Sequence, residues 1–171
     1  MTDGPDDDLR RGLAAGAADA FARLYDRFAP VLFRTAWGLL GSTEEAEDAV
    51  QDVFVSLMRA RSNLPAVADL RAYLFAALRH AAAKRRTRQR PAQPLPDELP
   101  ARPEPPSPDE ELGLALRRLP AEQREVVVLK VDGGLTFAEL AAVLGISPNT
   151  AASRYRYALA KLRDLMERPE P

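Results

Sequence analysis

The chain has 171 residues, 46% of them apolar and 29% charged, with a net charge of -1, enough for one ordinary globular domain or two small ones. It has no cysteine and one histidine, His80, which excludes disulfides and thiolate chemistry and leaves the usual zinc sites short of ligands. No Gly-rich phosphate loop, nucleophile elbow or compact carboxylate pair is present, so no cofactor, metal or catalytic residue is expected and an enzyme is the poorer reading.

The start, "MTDGPDDDLRR", is too acidic for a signal peptide, and no apolar run approaches the roughly 18 residues that span a bilayer. A cytoplasmic protein with no membrane contact is the expectation. Asp19 can cap a helix that puts Phe21, Leu24, Tyr25 and Phe28 on one face, with Pro30 kinking it or marking its junction with "VLFRTAWGLL". Gly41 ends that segment. Ser42 and Glu45 have the capping-box spacing, and the helix they open buries Ala46, Val50, Val53 and Leu57. Its other side is acidic, with Asp48, Gln51 and Asp52 spaced i, i+3 and i+4, a pattern that by itself suits a solvated face.

"NLPAVADL" reads as a loop, after which Asp69 can cap a helix burying Leu70, Leu74, Ala77, Leu78 and Ala81. That helix runs into "HAAAKRRTRQR", where six Lys or Arg fall between Arg79 and Arg90 without one acid. Such a run is either a solvated basic helix end or a phosphate-binding surface. Pro91 to Pro108 then holds eight prolines in eighteen residues, which forbids helix and favours an extended linker. At about 3.1 Å per residue it spans on the order of 50 Å, so the halves need not touch.

Beyond it, Ser107-Pro108 and Pro120 each start a helix, and Asp132-Gly133-Gly134 stops the second. Thr136 and Glu139 form another capping-box pattern for a short helix to Leu144, Gly145 turns the chain, and Ser147-Pro148 opens a final helix reaching about Met166. Two helices around a Gly turn are a helix-turn-helix, or simply a helical hairpin. Ala151, Tyr155, Ala158 and Leu162 make the inner stripe of the last helix, leaving Asn149, Thr150, Ser153, Arg154, Arg156 and Tyr157 outward. No acid lies between Glu139 and Asp164, so that face meets phosphate without repulsion and offers hydroxyl, amide and guanidinium groups to base edges. The fold expected is all-α: two small helical domains, residues 9–90 and 109–168, on either side of a flexible linker at 91–108.

Taken together, these elements resemble the extracytoplasmic-function (ECF) group of bacterial RNA polymerase sigma factors. "AFARLYDRFAPVLFRTAWGLL", "STEEAEDAVQDVFVSLMRA" and "LRAYLFAALRHAAAKRRTRQR" are similar to successive parts of sigma region two, a helical bundle. "LRRLPAEQREVVVLKVDGGLTFAELAAVLGISPNTAASRYRYALAKLRDL" is similar to region four. The resemblance implies a subunit that binds core RNA polymerase, reads the minus-thirty-five promoter element and opens the minus-ten element. It implies contact between Asp48, Gln51, Asp52 and Phe54 and the clamp helices of the largest subunit, and between region four and the flap of the second largest.

For minus-ten DNA it implies Asn63, in the loop that holds a flipped base, and Arg71, Tyr73, Arg79, His80, Lys84, Arg85, Arg86 and Arg88. For minus-thirty-five DNA it implies Ser147, Asn149, Thr150, Ser153, Arg154, Arg156, Tyr157 and Lys161. Many members of the group are held by an anti-sigma protein, a further partner the resemblance allows. Family members usually carry Trp in place of Tyr73, often Asn in place of His80, and basic residues in place of Ala152 and Tyr157. The linker acids Asp97, Glu98 and Glu104 would suit an RNA mimic or a plain tether. Other readings of the same pattern are a helix-turn-helix regulator working without polymerase and a helical adaptor that binds only protein.

Overall fold

A computed structural model describes residues 5–88 and 108–167. Most of the proline-rich stretch, with Arg90 and the acids Asp97, Glu98 and Glu104, lies outside the described residues. Among those described, every regular element is helical: α1 (Pro5–Ala14), α2 (Ala18–Leu40), α3 (Thr43–Arg59), a 3-10 turn (Arg61–Ala66), α4 (Leu70–Arg88), α5 (Pro108–Arg118), α6 (Ala121–Val131), α7 (Phe137–Leu144) and α8 (Pro148–Glu167). None of these helices is long and apolar enough to cross a membrane.

Local signals set most of the boundaries. The Ser42 hydroxyl accepts from the Glu45 N–H at 3.4 Å to open α3, and the Asp69 carboxylate accepts from the Ala72 N–H at 3.0 Å to open α4. Gly41, at φ 71°, closes α2 with its N–H on the Trp37 carbonyl. Two expectations change. Asp19 is not the cap of α2, which starts at Ala18 after Ala17 with no side-chain cap; Asp19 sits in the first turn, where the positive end of the helix dipole favours an acid. Nor does Pro30 divide the segment: α2 runs on for 23 residues. Pro30 and Asp26 both lie on the exposed side, so water can satisfy the Asp26 carbonyl that Pro30 cannot bond.

Helix α1 had no counterpart among the expected elements, yet Leu9 and Leu13 are buried in the core. Arg10 reaches from it to donate to the Val67 carbonyl and, at 3.1 Å, to the Ala68 carbonyl, tying down the segment that precedes α4.

The two halves do touch. One core cluster joins Leu24, Leu32, Leu74, Phe75 and Leu78 from the N-terminal half to Val126, Leu129, Leu135 and Leu140 from the C-terminal half. At the junction α2 and α6 approach so closely that a Cβ on Gly38 would lie 2.9 Å from a Val128 methyl. Helix α6 therefore buries five consecutive residues, Glu125 to Leu129, instead of a single stripe. Helix α4 is likewise covered on two sides. Leu70, Leu74 and Leu78 face the N-terminal half as expected, while Phe75, outside that stripe, packs toward Gly133 and Ala82 joins a second cluster with Leu116, Leu119 and Val127.

Candidate nucleic-acid and protein interfaces

Helices α2 and α3 form an open groove lined by Tyr25, Asp26, Ala29, Pro30 and Phe33 on one wall and Glu47, Asp48, Val50, Gln51, Phe54, Val55 and Met58 on the other. Asp48, Gln51 and Phe54 thus share one surface, with Asp52 exposed beside it. Tyr25 is not a core residue as its spacing suggested: it is 55% exposed and its ring stacks at a tilt on Phe54, 5.0 Å between centroids. With half-exposed Met58 and Val55 it makes an apolar strip beside the acids. Apolar contact ringed by charge is the usual make-up of a docking surface for a complementary protein. The sequence reading puts Tyr25 on the inner face and passes over Val55 and Met58, although all three are large apolar residues at the edge of a helix stripe.

The residues expected to meet minus-ten DNA are divided. Asn63 is exposed on the 3-10 turn, and His80, Lys84 and Arg88 project from α4 into solvent. Tyr73 is half-buried and packs against the core cluster, filling space there. The remaining four arginines are engaged inside the protein. Arg71 donates to the Gly133 carbonyl. Arg79 and Arg86 both bind the buried Glu125 carboxylate, at 3.4 and 3.0 Å. Arg85 bonds Asp52 at 2.6 Å and lies 3.4 Å from Glu45 and 3.5 Å from Asp48, so it binds the acidic face of α3.

The other candidate surface is built by α7 and α8. The Thr136 N–H donates to the Glu139 carboxylate at 2.6 Å and the Glu139 N–H to the Thr136 hydroxyl at 3.2 Å, a reciprocal cap. The backbone bond from Thr136, then its side-chain bond, hold the Glu139 carboxyl below the usual carboxylate range. Gly145, at φ 67°, makes the turn a residue with a Cβ would resist. The Ser147 hydroxyl then caps α8, accepting from the Thr150 N–H at 3.0 Å.

Ala151, Ala158 and Leu162 are buried, and Tyr155 lies edge-on to Phe137 with 5.8 Å between centroids. Asn149, Thr150, Arg156, Tyr157 and Lys161 are exposed, with Ser153 and Arg154 at the margin. Arg154 is drawn 2.9 Å from Glu122 of α6, a surface pair of small energetic weight.

Two family profiles match the chain: "Sigma-70 region 2" over residues 24–91 and "Sigma-70, region 4" over residues 109–162. Across nearly the whole length, the chain is 34% identical over 170 residues to the ECF RNA polymerase sigma factor SigL of Mycobacterium tuberculosis, covering 89% of this chain and 92% of that one. The chain belongs to the ECF RNA polymerase sigma factors.

Among other relatives of this sigma factor, CarQ of Myxococcus xanthus is 33% identical over 164 residues, with 88% and 91% of the two chains covered. The solved structure of CnrH in complex with the cytosolic domain of CnrY superposes with a TM-score of 0.75 at 26% identity, over 95% of this chain and 97% of CnrH. RpoE of Bartonella quintana, solved in complex with the anti-sigma factor NepR, shares the fold with a TM-score of 0.70 at 24% identity, over 86% and 96%. The groove between α2 and α3 and the basic face of α4 thus fall within region two of a sigma factor, and the α7–α8 pair within region four.

Proposed function

We propose that this ECF sigma factor joins core RNA polymerase through the α2–α3 groove, places α8 on the minus-thirty-five element and uses the turn and α4 to open the minus-ten element. The observation that carries the DNA reading is the α8 face, which is capped, free of acids and open to solvent at Asn149, Thr150, Arg156, Tyr157 and Lys161. Phosphates would be taken by the cations, and Asn149, Arg156 and the hydroxyls would meet base edges.

Asp48, Gln51, Asp52 and Phe54, with Tyr25 and Met58 added, would dock on basic clamp helices, since complementary charge sets register while the apolar strip is desolvated. Region four would meet the flap of the second-largest subunit. Opening DNA requires only binding energy for unstacked bases greater than the cost of unpairing, about a few kcal/mol per base, so no catalytic group or cofactor is needed. The chain would work in the cytoplasm, with residues 9–90 and 109–168 as its domains and 91–108 as tether. An anti-sigma protein is a further partner, and the cleft between Phe33 and Trp37 of α2 and Leu112 and Leu116 of α5 is an apolar surface open to one.

Transcription by purified core polymerase on a genomic fragment library tests the proposal. Discrete starts that appear only when the chain is added are expected. An unchanged transcript pattern with and without the chain would overturn it.

A further inference from the structure

Helix α1 carries none of the residues proposed above to meet polymerase or DNA, yet it is tied to the turn that precedes α4. Leu9 and Leu13 share the core cluster with Leu64, the buried side chain of the 3-10 turn. A Cβ on Gly12 would lie 2.8 Å from that of Ala20, so α1 can come this close to α2 only with glycine at that position. Arg10 reaches the chain that leaves the turn. Its side chain is 16% exposed; Nη1 donates to the Val67 carbonyl and, at 3.1 Å, to the Ala68 carbonyl, while Nη2 binds the Asp7 carboxylate.

We propose that Arg10 is a positioning residue for minus-ten recognition: with Asp7 behind it, it fixes the backbone of the turn that holds a flipped base and the angle at which that turn meets α4. The inference rests on the reading of the turn and α4 as the minus-ten surface.

The turn needs an anchor from outside. Around Leu64, the side chains of Arg61, Ser62, Asn63, Pro65 and Ala66 are exposed. The backbone bonds at its two ends, from the Asn63 N–H to the Ala60 carbonyl at 2.9 Å and from the Val67 N–H to the Leu64 carbonyl at 3.0 Å, are local, and Pro65 has no N–H to add. A base taken out of its stack is discriminated well only by a turn whose shape is set beforehand, because ordering the turn at the moment of binding consumes binding energy. Arg10 supplies that order, and its partial burial strengthens its bonds relative to those in water. The guanidinium fork serves the two carbonyls and the carboxylate at once, which the single point of an ammonium does not. Ala68 stands directly before Asp69, whose carboxylate caps α4. One side chain thus sets both the end of the turn and the start of the helix along which the melted strand would run.

The test uses holoenzyme assembled from the full chain and core polymerase. Fluorescence anisotropy follows its binding to labelled non-template strands that carry the minus-ten element of a promoter mapped by its own transcripts, substituted one base at a time. The position at which Asn63→Ala flattens base preference marks the base held in the turn. Arg10→Met should lower the preference at that position by about tenfold, the worth of a hydrogen bond to a charged group, and leave the other positions and the affinity for core polymerase unchanged. Arg10→Lys, which keeps a donor for the carbonyls but loses the fork, should recover part of that preference. Asp7→Asn keeps Arg10 and removes the carboxylate behind it; it should show the same change in smaller measure, and it supplies the readout if Arg10→Met does not fold.

A loss spread evenly over all positions, or following the drop in melting temperature alone, would make Arg10 a general stabiliser and overturn the proposal. If Asn63→Ala flattens one position while the Arg10 and Asp7 variants that fold keep the wild-type profile, the positioning role fails and the reading of the turn survives. If none of these variants alters any position, both fall.

Discussion

Helices α4 and α8 are both basic and both proposed to meet DNA, but the protein treats their cations in opposite ways. On α4, Arg71, Arg79, Arg85 and Arg86 are all bonded within the chain, to Gly133, Glu125 and the α3 acids. On α8, among the described residues, only Arg154 has an acidic partner, and that partner, Glu122, is exposed. Duplex DNA can approach α8 as it stands. Single-stranded DNA would have to displace internal bonds to use the arginines of α4. The contrast suits the order of events at a promoter, where the minus-thirty-five element is read as duplex and the minus-ten element only after melting. It would also give polymerase a physical lever: a basic partner that took Asp48 and Asp52 would leave Arg85 with Glu45 alone of its three acidic ligands.

The contrast can be broken most severely at Phe75, fully buried where α4 meets the loop after α6. Phe75→Ala should cost about 3–5 kcal/mol in a denaturant titration, the usual loss for an aromatic in a shared core. A loss below about 1 kcal/mol would mean that α4 is not covered by region four. Next comes the open helix. Arg156→Ala should weaken binding to duplex minus-thirty-five DNA by about 1–3 kcal/mol and relax preference at one base position, read by fluorescence anisotropy on a substitution series. A loss equal on every sequence would assign Arg156 to phosphate.

Lys84→Ala on α4 should leave sequence preference unchanged and reduce the slope of log affinity against log salt by about 1, as one phosphate contact does. The smallest effect lies at Asp132, beside Gly38 at the junction of α2 and α6. Burial raises its carboxyl above the ordinary 3.8, with Arg34 pulling the other way. A raised carboxyl pKa in the packed state means that packing is strongest when Asp132 is protonated and weakens as pH climbs from 3.8 through the raised value. Asp132→Asn should remove that part of the pH dependence and stabilise the packed chain at neutral pH by less than about 1 kcal/mol, since the group is only half-buried. Thermal melts across the acidic range would show it.

Much of this was legible in the sequence because the signals were local. Ser42, Asp69, Thr136 and Ser147 each cap a helix through an N–H three residues ahead, and Gly41 and Gly145 turn where a left-handed residue is required. The α8 stripe was legible for the same reason: one helix, one buried side. What failed to show depends on a second layer. A single-helix pattern placed Tyr25 inward because it neighbours Leu24 and Phe28, whereas the fold leaves it beside Phe54 in a groove. It could not find Phe75 or Ala82, whose burial comes from the other half of the chain. Nothing within the run "EVVVL" marks Glu125, since both its partners lie beyond the linker. Helix α1 was overlooked because its first turn is nearly all acidic and only Leu9 and Leu13 bear its apolar contact.

Permanganate reactivity of promoter thymines tests the central claim, that this chain opens DNA through α4 when joined to polymerase. On a promoter mapped by its own transcripts, thymines around the minus-ten element should become reactive only when chain and core polymerase are both present, and replacing Arg79 and Arg86 by Ala should abolish the reactivity while minus-thirty-five binding persists. Reactive thymines of undiminished intensity with that double variant would contradict the role given to α4.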